Sequence, residues 1–164
     1  MKNFKIAVLL LGFLGIVVTG YSQDKFDRSV FYGVLAGEDV KGIDNQLKVV
    51  QNAEGNDKDA YEGTLLMKKA GLVGGPGKKL NLFKSGHKKL EAALEKDSAN
   101  AEYRFLRLMI QENAPGILGY KNDLEKDKQY IRTHFKSLSS VVQQAVLNYS
   151  KKSKILQSTE LNGA

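Results

Sequence analysis

Cysteine is absent from this 164-residue chain, and its absence removes several chemistries at once. There is no disulfide framework, no thiolate metal site and no cysteine nucleophile. Nor is there a cysteine to carry lipid behind a leader, the usual route to a bacterial lipoprotein anchor. Histidine is scarce: His87 and His134 are the two, and neither stands in the His-x-x-x-His or Glu-x-x-His spacing that starts a metal site. No stretch alternates apolar and polar residues with the period of two that a half-buried strand needs. A Gly-x-Ser-x-Gly nucleophile turn is missing as well.

What is present begins with a tripartite N-terminus. Lys2 and Lys5 precede an unbroken apolar or glycine run from Ile6 to Val18, followed by Gly20 and Ser22. A basic start, a short apolar core and a small-x-small exit are the layout of a secretory signal peptide. The run falls short of the roughly 20 residues that span a bilayer. Residues 1–22 are therefore expected to be a leader, cleaved after Ser22, with an uncleaved anchor as the rival. The expected location is the periplasm or the exterior of a bacterium. The remainder is one domain's length, able to hold together by core packing alone. Of the net charge of +7, Lys2 and Lys5 contribute two. The rest is spread thinly along the chain, which suits a solvated surface better than a nucleic-acid interface.

Helical spacing recurs throughout this remainder. Phe26, Val30 and Val34, with Phe31 and Leu35, form one apolar stripe, and Ile43, Leu47 and Val50 a second. Tyr61, Leu65, Leu66 and Leu72 predict a third helix, opened by Asp57 or Asp59. Leu80, Phe83, Leu90 and Leu94 predict a fourth over 78–96. Gly71 to Gly77, with Pro76, is the strongest break. After Asp97-Ser98-Ala99-Asn100, where Ser98 or Asn100 can cap, the run 101–112 is apolar nearly all round and is expected to be the centre of the fold. Leu124, Ile131 and Phe135 mark a sixth run, and Val142, Ala145, Val146 and Tyr149 a last one. The expected fold is all-α, six or seven short antiparallel helices over 23–152, with 153–164 a flexible tail.

From Gly86 to Ala101 the residues resemble a family. Gly86, Leu90 and Ala93 form a small–large–small trio, and Asp97-Ser98-Ala99-Asn100 turns into the next helix. This resembles the junction between tetratricopeptide (TPR) repeats, over about 20 residues, with Ser98 where the family has proline and no Trp-x-x-Leu-Gly pattern after Ala101. The resemblance implies stacked helical hairpins with a concave face for peptides or protein segments. The overall pattern also resembles small exported proteins of Bacteroidetes. A plain helical bundle is the alternative.

Candidate chemistry is thin. His87 falls beside an apolar stripe and reads as a packing residue; His134, among Arg132, Phe135 and Lys136, reads as a helix-end side chain. The glycines before Lys78 and Lys79 lack the first glycine and the hydroxyl of a phosphate loop, so they read as a linker. Asp57/Asp59 and Asp123/Glu125/Asp127 sit near helix starts, where the dipole favours them. The polar stripe Arg104, Arg107 and Gln111 is the one candidate ligand contact, since arginine offers a planar donor fork to a carboxylate or acidic peptide. Ion pairs to neighbouring helices are its competing role. No catalytic residue, metal or cofactor is indicated. The expectation is an exported, non-enzymatic interaction module with a shallow helical groove, its partner another envelope or secreted protein or peptide, not nucleic acid. The rivals are a small periplasmic enzyme using Asp and Glu residues, and an electrostatic binder of anionic lipid or polysaccharide.

Overall fold

A computed structural model describes residues 26–161 except Glu54 and Asn56. The expected leader at 1–22 and its cleavage site lie outside the described residues. Among those described there are seven α-helices and no strand, so the all-α expectation holds. The helices are α1 (Arg28–Ala36), α2 (Val40–Asn52), α3 (Lys58–Leu72), α4 (Pro76–Lys96), α5 (Ala101–Asn113), α6 (Leu124–His134) and α7 (Ser140–Ser150). Side-chain oxygens set several starts. Asp27 accepts from the amides of Ser29 and Val30, Asp39 from Lys41 and Gly42, and Asn100 from Glu102 and Tyr103, each filling donors that a first turn leaves open. Asn100, not Ser98, is the cap of α5. Pro76 opens α4, where its missing amide costs nothing.

Consecutive helices pack on one another from α1 to α6, and α7 returns to α1. The α3–α4 pair is the tightest. Gly63 and Gly86 meet at the crossing, which leaves no room for a Cβ on either. The small–large–small trio read from the sequence thus includes a real contact point at Gly86, with Leu90 and Ala93 buried beside it.

Helix α5 is the centre, as its sequence implied: every residue from Ala101 to Leu108 is buried. Two expected core residues are exposed, while others, such as Phe26, Val34 and Phe83, are partly buried against the core. Val30 is 53% exposed and Leu80 40%. In α1 the buried place goes to Tyr32, whose hydroxyl has a carboxylate to bind.

The C-terminal segment corrects a further expectation. Residues 153–161 are not a flexible tail but a strap. Leu156 and Leu161 are 0% and 1% exposed within the core. Glu112 of α5 fastens the start of the strap by accepting from Ser153 Oγ at 2.6 Å and from the Lys154 amide at 2.7 Å. Farther on, Glu160 pairs with Lys128 of α6 at 2.9 Å. Two well-spaced leucines and one serine were enough to dock a segment whose overall polarity suggested fraying.

Candidate functional site

The predicted ligand stripe is inside the protein. Arg104 Nη1 donates to Asp127 Oδ1 at 2.9 Å, while its Nε and Nη2 bond the Ser98 carbonyl. Arg107 grips the same carboxylate through Nε at 2.7 Å and Nη2 at 2.9 Å, and reaches Glu91 through Nη1 at 2.9 Å. Asp127 is 0% exposed, and both arginines are buried. Burial disfavours the charge on Arg107, but the hydrogen bond to Asp127 and the charges of Asp127, Glu91 and Asp123 outweigh it and hold the guanidinium above its ordinary pKa. Gln111 is 1% exposed. All three residues are corrected from groove contacts to interior ones: the two arginine forks are engaged by α6, by Glu91 of α4 and by the α4–α5 turn. The stripe was legible, but its partner was the run Asp123 to Asp127, which had been read as serving the helix dipole.

Other singled-out residues also have internal partners. Asp57 accepts from Arg28 at 3.0 Å and from the Tyr103 hydroxyl. Asp59 pairs with Lys89 and Lys96. His87 packs edge-on against Tyr120 at 4.6 Å, and His134 stacks on Tyr130 at 3.9 Å, as packing and helix-end residues should. A second buried cluster surrounds Glu102, which accepts from Tyr32 and Tyr61 hydroxyls at 3.0 Å each and from Arg28 Nε at 3.3 Å. Among the described residues no group of three or more His, Asp or Glu is arranged to hold a metal ion. No helix among them is long and apolar enough to cross a membrane.

The open site lies elsewhere. A cleft of about 1240 Å³ is enclosed by α1, α3, α4, α5 and α7 and by the loop after α5. Its position follows from the topology. The last turns of α3 and α5 and the first turns of α4 meet at one end of the bundle, because the Gly71–Gly77 break is a turn between antiparallel helices, with Gly75 at φ 82°. Helix α7 crosses back to α1 and forms the last wall.

Leu35, Met67, Phe83, Phe105 and Ile110 form an apolar floor. The walls hold apolar side chains that the fold leaves open: Leu80, Val141 at 38% exposure and Ile117 at 94%. Along α7, Val141, Ala145 and Tyr149 recur at every fourth position, flanked by Ser140, Gln144 and Asn148 at the same spacing. Three lysines complete the lining: Lys68 from α3, Lys79 from α4 and Lys152 just beyond α7. Burial, and then the neighbouring charge of Lys152, lower the pKa of Lys68, with Glu38 acting in the opposite sense.

Sequence reasoning missed this site because it sorted apolar residues into core stripes. Leu80 falls on the apolar stripe of the fourth helix, and Ile117, between Pro115 and Gly119, belongs to no stripe. An isolated isoleucine in a turn was the available signal.

No known family model matches the chain, and no curated protein or solved structure is significantly similar to it.

Proposed function

We propose that this chain is a non-enzymatic binding module, acting outside the cytoplasm, whose cleft receives an apolar partner. The cleft supports this reading most directly. Pockets that bind organic ligands are concave and predominantly apolar, with a few polar groups, and exposed apolar side chains gathered in one concavity mark an interaction site. Leu80, Ile117 and Val141 are gathered in this way. The site named from the sequence is replaced by this one, and Arg104, Arg107 and Gln111 keep a structural role. An Asp/Glu enzyme has less support. No histidine lines the cleft, and of its two carboxylates Glu112 is occupied by Tyr149, Ser153 and the Lys154 amide. The address outside the cytoplasm rests on the leader-like residues 1–22.

The test is binding of the neutral apolar dye Nile red to the protein and to Gly33→Trp. Gly33 lines the cleft on α1, and a Cβ built there meets nothing within 4 Å, so a large ring can fill the space without disturbing the helix. Dye fluorescence should rise with the native chain and fall back in the variant at unchanged helicity. Equal dye binding by both would overturn the assignment of the cleft.

A further inference from the structure

The cleft has a charge pattern as well as an apolar one, and that pattern points to a class of ligand. Lys68 and Lys152 both line it and lie close enough for the charge on one to disfavour the charge on the other. Neither takes part in the ion pairs found among the described residues, although Lys69, Lys89, Lys96 and Lys128 do. Lys79 sits in the first turns of α4, at the same end of the α3–α4 hairpin as Lys68. Two ammonium groups beside apolar surface, neither in an ion pair among the described residues, favour a negative guest. Two carboxylates line the cleft as well: Glu112, which stays ionised under its neutral donors, and Glu38, which is exposed like Lys79 and Lys152 and favours the charge on Lys68. Three lysines against two carboxylates leave the lining net positive. The carbonyl ends of α3 and α5 lie nearby, but they carry only partial charge.

We propose that the ligand is a long-chain carboxylic acid, its tail on the floor from Leu35 to Ile110 and its carboxylate between Lys68 and Lys152. This inference rests on the cleft reading above. A single anionic head on a continuous apolar tail matches one cationic end on a continuous apolar floor. No arginine lines the cleft, so the bidentate fork that suits phosphate is absent. The other occupants fit less well. Residues 1–22 bring Lys2 and Lys5 and no acid to a cationic end. A second copy brings a chain of net charge +7 against it.

The experiment is titration calorimetry of the full chain with dodecanoate, dodecanol and dodecyltrimethylammonium. Dodecanoate should bind one to one, and about tenfold or more tighter than dodecanol, the scale of a charged hydrogen bond gained. Lys68→Met and Lys152→Met should each abolish that preference while leaving dodecanol binding unchanged. Lys84→Met, an exposed α4 lysine outside the lining, should change nothing, and Gly33→Trp should abolish binding of both. Equal affinity for dodecanoate and dodecanol would overturn the anionic inference and leave the apolar cleft standing. Uptake of Nile red but of none of the three amphiphiles would overturn the amphiphile and favour a peptide. Dodecanoate binding that survives Gly33→Trp would place the ligand outside the cleft.

Discussion

Gly63 and Gly86 face each other across the α3–α4 crossing at a separation that no side chain tolerates. A Cβ on Gly63 would stand 2.6 Å from the Gly86 carbonyl oxygen and 2.7 Å from the Leu90 amide nitrogen; one on Gly86 would stand 2.5 Å from the Gly63 carbonyl oxygen. The obstacles are backbone atoms, which cannot swing aside as the tip of a lysine would.

Gly63→Ala and Gly86→Ala should therefore each cost about 2–3 kcal/mol, the scale of overpacking in a close-packed interior. Gly33→Ala should do the reverse. It lies in the interior of α1 with open space around it, and removing the glycine's excess unfolded-state freedom should stabilise by about 0.5–1 kcal/mol. Urea unfolding of the three variants distinguishes them by sign, and a stabilising Gly63→Ala would contradict the crossing geometry.

Asp127 binds two buried guanidiniums at once. Removing one member of a buried ionic group leaves uncompensated charge, so Asp127→Ala should destabilise by about 3–5 kcal/mol. A loss under about 1 kcal/mol in equilibrium unfolding would mean that Glu91 and Asp123 suffice to hold Arg107. Ligand affinity at the cleft should be unchanged in whatever fraction remains folded, because neither arginine lines it.

Glu112 gives the fold a specific acid sensitivity. Burial raises its pKa, but bonds from Ser153, Tyr149 and the strap amides outweigh this and hold it below the ordinary 4.5. A carboxylate depressed in the folded state contributes stability that is fully present above its ordinary pKa and is lost as pH falls through the folded value. The native chain should thus be more stable than Glu112→Gln at neutral pH, and the gap should narrow as pH drops below 4.5. Amide exchange over 153–161 should speed up in the variant at neutral pH. A pH-independent gap would assign the effect to something other than the charge.

Tyr32 and Tyr61 share one acceptor, Glu102, and both phenols are raised by burial and then by its charge. Tyr32→Phe and Tyr61→Phe should each cost about 1–2 kcal/mol. The double variant should depart from the sum by about 0.5 kcal/mol or more, since both singles change the solvation of the same carboxylate. Strict additivity in thermal melts would show that the two bonds are independent.

The fold was legible where spacing carries the information. The stripes at Ile43–Val50, Leu90–Leu94 and Val142–Tyr149 became buried helix faces, and the run 101–112 became the central helix. Such patterns report which side of a helix is covered, because burial is a local property of phase. They do not report which helix covers it. For that reason the polar stripe of α5 was found while its true partner on α6 was not, and two carboxylate clusters were assigned to helix ends when they also bind arginines and lysines across the fold. The cleft was invisible for a related reason. Its walls come from five helices, and a cavity is a property of their arrangement, not of any segment.

That arrangement also has a direction in time. Among the described helices the cleft is bounded by α1, the first in chain order, and by α7, the last, with the strap after it. Until α7 is made, Phe105 lacks the Tyr149 ring that packs edge-on against it at 5.8 Å, and the unfinished chain leaves apolar surface uncovered. The cleft is thus complete only once α7 has returned to α1, and a chain cut short before α7 would have helices but no closed cleft.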